Sequence, residues 1–148
     1  MVILIKKNLK VLIPLIICVV ISSLFVYLAK IDYGSLTKPF LAPKAFVFPI
    51  VWTIIYLIFY LTMIKIEDKN TYILYIIILC SHIIWNFTFF FLGSYLVGFI
   101  VLLIIYLLSF VFVYYISKAN KKLSYITVPY LIWLLIALYL NFGVMLLN

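Results

Sequence analysis

The sequence predicts an all-α integral membrane protein, a bundle of five transmembrane helices, on three observations. Of its 148 residues 70% are hydrophobic and only 9% charged, more apolar surface than a soluble domain of that size can hide from water. The charges are also gathered into clusters: no charged side chain lies between Lys10 and Lys30, between Lys44 and Lys65, between Lys69 and Lys118, or after Lys122. A helix needs about 20 apolar residues to cross hydrocarbon, so the third gap holds two crossings and the others one each. Finally, the apolar runs lack the period-two alternation of a membrane barrel, the one other fold that pairs all its backbone groups in lipid.

Each element follows from its punctuation, within one domain spanning 1–148. The first helix is expected over 9–29, with Pro14 in its opening turns, where a missing amide is tolerated. Its basic start resembles a signal peptide, but no small-residue cleavage site follows, and it is read as a retained helix. Residues 30–44 form the longest loop, broken by Asp32, Gly34, Pro39 and Pro43. The second helix, 45–64, ends at the densely charged run from Lys65 to Lys69, which must be wet. The third, 72–91, and fourth, 96–117, are joined by a tight turn at Gly93 that needs glycine's freedom. The fifth covers 123–147 and contains Pro129, which can kink it.

The net charge of +8 comes wholly from lysines. They flank the apolar segments, which marks them as interfacial anchors and topology signals rather than a nucleic-acid surface. Eight of them (Lys6, Lys7, Lys10, Lys65, Lys69, Lys118, Lys121 and Lys122) fall on one face against three (Lys30, Lys38 and Lys44) on the other. The rule of positive loops inside then expects a multi-pass protein of the cytoplasmic membrane, with the N-terminus in the cytoplasm and the first loop and C-terminus outside.

Several chemistries are excluded. All three acids, Asp32, Glu67 and Asp68, sit in loops, so no intramembrane carboxylate is available for a proton- or sodium-driven pump or for acid–base catalysis. One histidine without a partner acid makes no hydrolytic triad, no phosphate-binding glycine loop occurs, and no metal motif is present. No cofactor is expected. Cys18 and Cys80 are read as small buried residues.

The membrane interior is instead aromatic and amide-bearing. Trp52, Tyr56 and Phe59 share one helical face, as do His82, Trp85 and Phe89, and Trp133, Ala137 and Asn141. Each stripe is read either as one wall of a shared cavity or as packing and interfacial aromatics. His82 is the one ionisable group deep in a span, with Asn86 a turn further on. It is either a site residue, a haem ligand included, or a neutral imidazole bonded to Asn86 or a neighbouring helix. Ser94 and Gly98 offer a small-residue contact of the kind that joins helices in a homodimer.

Leu36-Thr37-Lys38-Pro39 with Pro43, then Val51-Trp52-Thr53 with Tyr56, then Trp85 with Phe89-Phe90, and last Pro129-Tyr130-Leu131-Ile132-Trp133 with Ala137 and Leu140-Asn141 occur in an order that resembles the TspO/MBR family. The resemblance runs over nearly the whole chain. It implies a five-helix receptor or carrier for porphyrins, notably protoporphyrin IX, and other flat hydrophobic ligands. The implied pocket takes Tyr33 and Pro43 from the first loop, which acts as its lid, then Trp52, Trp85, Asn86, Phe89, Trp133, Ala137 and Asn141; Tyr56 and His82, placed on the same faces by spacing, complete the expected ligand-binding set. Lys30, Lys38 and Lys44 are the expected partners of porphyrin propionates. Two alternatives are a light-dependent porphyrin-degrading activity using Trp52 and Trp133, and a stress-response protein that signals pocket occupancy to a partner.

The chain departs from the family pattern in places. Ser81-His82 stands where a Leu-Asn pair is common, Leu41 where a tryptophan is common, and Lys44 replaces a proline. No lysine or arginine follows Tyr139, so the sterol-binding signature of animal members is not expected here.

Overall fold

The computed structural model describes residues 2–148, which form five helices and no strand. They are α1 (Val2–Tyr27), α2 (Val47–Met63), α3 (Lys69–Asn86, continued by a π-helical turn over Phe87–Phe91), α4 (Tyr95–Ala119) and α5 (Lys121–Leu147). Four are long and apolar enough to cross a bilayer, and the 17-residue α2 is shorter. Around the bundle the order is α1, α3, α4, α5, α2 and back to α1, and the α1–α2 seam is the loosest. The outward faces carry Ile, Leu, Val and Phe that are about half exposed, as a lipid-facing surface requires.

Local chemistry sets the ends. Asp68 caps α3, its carboxylate accepting from the Thr71 amide and hydroxyl, each at 2.7 Å. Those bonds hold it below the usual carboxylate range. Asn120 caps α5 through the amides of Lys122 and Leu123. Gly93 takes φ +72° in the turn between α3 and α4, a conformation that a β-carbon disfavours.

Three expectations need correction. The first helix begins at Val2 rather than Leu9, because lysine is a good helix former and nothing before Lys10 breaks the run. Pro14 is therefore interior, where it leaves the Lys10 carbonyl without its helical amide. The Tyr72 hydroxyl of α3 donates to that carbonyl at 3.2 Å, and Tyr75 does the same for Val11 at 2.9 Å. Second, Cys80 is exposed on the lipid face, while Cys18 is fully buried as expected. Third, Gly98 is buried against Phe89 of its own chain, where a β-carbon would stand 3.1 Å from the phenylalanine. It is not free to meet a second copy.

The two ends of the bundle pack differently. Toward the α2–α3 turn, Phe59, Tyr75, Phe112 and Tyr130 lock edge-to-face at 4.7–6.2 Å. Toward the first loop the helices enclose a hollow.

Candidate functional site: an aromatic cavity under the first loop

The hollow has a volume of about 520 Å³, within the range of small-molecule sites. Ser22, Ser23 and Val26 of α1 form one side and Phe48, Pro49, Trp52 and Tyr56 of α2 the next. Trp85, Asn86, Phe89 and Phe90 come from α3 and its π turn, and Trp133, Ala137, Leu140, Asn141 and Val144 from α5. The first loop contributes Tyr33.

The aromatic wall is built from two sets of touching rings. Trp52 lies 6.1 Å from Trp85 and 5.7 Å from Tyr56, and Trp85 stacks on Phe89 at 6.0 Å. Tyr33 meets Phe48 at 5.0 Å, and Phe48 meets Trp133 at 5.7 Å. Among the described residues no lining side chain is charged. Polar character comes from a few groups. The indole N–H of Trp85, that of Trp133, and both amide atoms of Asn141 are buried without a hydrogen-bond partner in the protein. Such groups are costly in a low-dielectric interior and suit a ligand that supplies their partners.

Of the residues expected at the pocket, Tyr33, Trp52, Tyr56, Trp85, Asn86, Phe89, Trp133, Ala137 and Asn141 stand together on its wall. Pro43 stands behind it, where its carbonyl accepts the Tyr33 hydroxyl at 3.2 Å and so steers that ring. Burial raises the Tyr33 phenol above its ordinary value, which keeps it a neutral donor.

His82 does not line the cavity. It is fully buried beneath the floor, with the Trp52 ring edge-on at 4.9 Å. Its Nε2 bonds the Tyr130 hydroxyl of α5 at 3.2 Å, and Tyr130 bonds Ser109 of α4 at 2.9 Å. Of its two expected partners the neighbouring helix takes the ring. Asn86 donates instead to the His82 backbone carbonyl at 2.9 Å.

None of the three lysines reaches the wall. Lys38 curls back onto the Tyr33 and Gly34 carbonyls at 3.0 and 3.2 Å, with its ammonium 4.9 Å from the Tyr33 ring centre. Lys30 lies 5.7 Å from the Phe91 ring, and Lys44 is exposed. A long side chain beside free loop carbonyls satisfies itself locally before it reaches into an apolar hollow.

The α1 residues were missed by sequence reasoning, where the Ser22-Ser23 pair in an otherwise apolar helix was the available signal. Phe48 and Val144 extend the α2 and α5 stripes by one turn and were legible from spacing.

A helical membrane protein with an uncharged, indole-walled ligand cavity under a loop is the class that this fold and site define. A family model described as the TspO/MBR family matches residues 10–147. The chain is 29% identical over 124 residues to the tryptophan-rich protein TspO of Chlorobaculum tepidum, covering 78% of each chain. It is 30% identical over 125 residues to the protein of the same name in Archaeoglobus fulgidus, covering 78% of this chain and 79% of that one. The chain belongs to the TspO/MBR family.

Proposed function

We propose that this protein is a membrane receptor or carrier for tetrapyrroles such as protoporphyrin IX and similar flat hydrophobic molecules. The observation that carries the reading is the cavity itself: about 520 Å³, walled by Trp52, Trp85 and Trp133 and free of charged lining. Indole faces bind a broad aromatic disc by stacking, each good pair adding about 0.5–1.5 kcal/mol beyond area burial. The unpartnered Trp85, Trp133 and Asn141 groups orient it. Without a cation on the wall, a porphyrin's carboxylates stay at the mouth, below the first loop. On this reading the lysine-rich face lies in the cytoplasm and the loop on the opposite side.

Titration of purified protein with protoporphyrin IX in the dark, read by tryptophan quenching, tests this. Saturable binding is expected, weakened about tenfold or more by Trp52→Ala with Trp133→Ala, as two lost stacking contacts imply. Unchanged affinity in the double variant overturns the pocket assignment.

One observation favours a second reading, light-dependent degradation of the bound pigment. Trp85, Trp52 and Tyr56 form a contiguous run of oxidisable rings, and the Tyr56 hydroxyl is 3.9 Å from Cys18 Sγ. Repeating the titration under illumination separates the two: a new porphyrin spectrum that requires the tryptophans marks chemistry, and an unchanged spectrum marks binding alone.

A further inference from the structure

The first loop does not simply cover the cavity mouth. It descends the side of α5 one helical turn at a time. Thr37 pairs with the Asn148 side chain through two hydrogen bonds, amide to Oδ1 at 3.0 Å and Nδ2 to carbonyl at 2.9 Å. Pro39 then packs on Gly143 so closely that a β-carbon there would stand 2.5 Å from the proline ring. Next, the Phe40 carbonyl accepts the Tyr139 hydroxyl at 2.6 Å. Tyr139 is nine residues before Asn148, roughly 14 Å along a helix. Its side chain leans toward the helix N-terminus, which here is the middle of the membrane.

At that depth the chain reverses. The Ala42 amide bonds the Pro39 carbonyl at 3.2 Å, and Leu41 takes φ +65°. Glycine or asparagine is the usual occupant of such a turn position, because a β-carbon is strained there. A leucine held in that conformation with 80% of its surface bare, beside Phe40 at 81%, has no packing in the chain to stabilise it. The flanking face of α5 continues the same surface, with Ile132, Leu135, Tyr139, Phe142 and Leu146 all exposed.

We propose that turn 39–42 is a lipid anchor, which seats Phe40 and Leu41 among the acyl chains of the leaflet on the lysine-poor side. Part of the loop's backbone suits that setting: the carbonyls of Thr37, Pro39 and Phe40 are each paired, which lowers the cost of entering a membrane. A second copy is a poor occupant. The two side chains only extend an exposed α5 face that, in a membrane-spanning bundle, is covered by lipid.

The test places a bimane label on Leu41→Cys in a Cys80→Ala background, Cys18 being fully buried, with the protein in bilayer nanodiscs. Ser35→Cys, on the exposed part of the loop, is the aqueous control. Brominated phosphatidylcholine is expected to quench the label at 41 severalfold more than aqueous iodide does, with the order reversed at 35. Iodide quenching at 41 equal to that at 35 overturns the anchor. So does protection from both quenchers that disappears on dilution, which would assign the turn to a second copy. Phe40→Cys carries the same test should Leu41→Cys not fold.

Discussion

Both ends of the bundle are rich in aromatic residues, yet the end near the α2–α3 turn is solid and the end under the first loop is hollow. At the solid end Phe59 meets Tyr130, Phe112 and Tyr75 edge-on at 69–79°. Its phenols are also spent: Tyr75 on the Val11 carbonyl, Tyr130 on Ser109 and His82. At the hollow end Trp52, Trp85 and Phe89 follow one another along one wall at shallow angles of 26–40°, and the indole N–H groups of Trp85 and Trp133 have no partner in the protein. Aromatic content therefore does not make a pocket. Edge-to-face contacts occur at both ends; what differs is that the phenols of the solid region are partnered, while the open one keeps unpartnered Trp85, Trp133 and Asn141 groups beside the loose α1–α2 seam.

The sharpest way to break this contrast is Phe59→Ala, which opens a cavity where the packing is closed. It is expected to destabilise the fold by about 3–5 kcal/mol, seen as a lowered thermal midpoint, while porphyrin affinity of the folded fraction stays unchanged. A loss of affinity as large as the loss of stability would show that the two ends are one cooperative unit.

Asn141→Leu acts at the other end and in the opposite sense. Removing two unpaired polar atoms is expected to raise stability by about 1 kcal/mol and to weaken porphyrin binding about tenfold, one hydrogen bond's worth. Stability falling instead would mean that the amide is already satisfied without a ligand. The smallest effect is at the solid end's rim, where Lys7 bonds Glu67 at 2.8 Å and holds its carboxyl below the usual value. A lowered folded-state pKa gives stability that is present at neutral pH and lost as pH falls through the glutamate range. Since Glu67 is fully exposed, Glu67→Gln should flatten the acid side of the stability profile only slightly.

Much of the fold was legible beforehand, and less of this contrast, for reasons that differ by element. Gaps between lysines located all five helices, because lipid tolerates no unpaired charge. Spacing placed Trp52, Trp85, Trp133 and Asn141 on inward faces. It did not say which neighbour each face would meet, so Phe59 and Trp52, seven residues apart on one stripe, ended in opposite regions. His82 illustrates the same limit: its depth was evident, while its partner depended on α5 lying beside α3. The loop's lysines stand off the cavity wall because charge says what a group wants but not the nearest place to find it, and for Lys38 that place is two carbonyls away.

The π turn at the end of α3 has one more consequence. There the Leu92 amide reaches back to the Phe87 carbonyl at 2.9 Å, so the segment carries one residue more than an α-helical path of the same span. Deleting a single residue from Phe87–Phe91 would restore ordinary winding and displace the side chains of the turn itself, among them Phe89 and Phe90 on the cavity wall. The headroom for a ligand is thus fixed by helical pitch as much as by side-chain size.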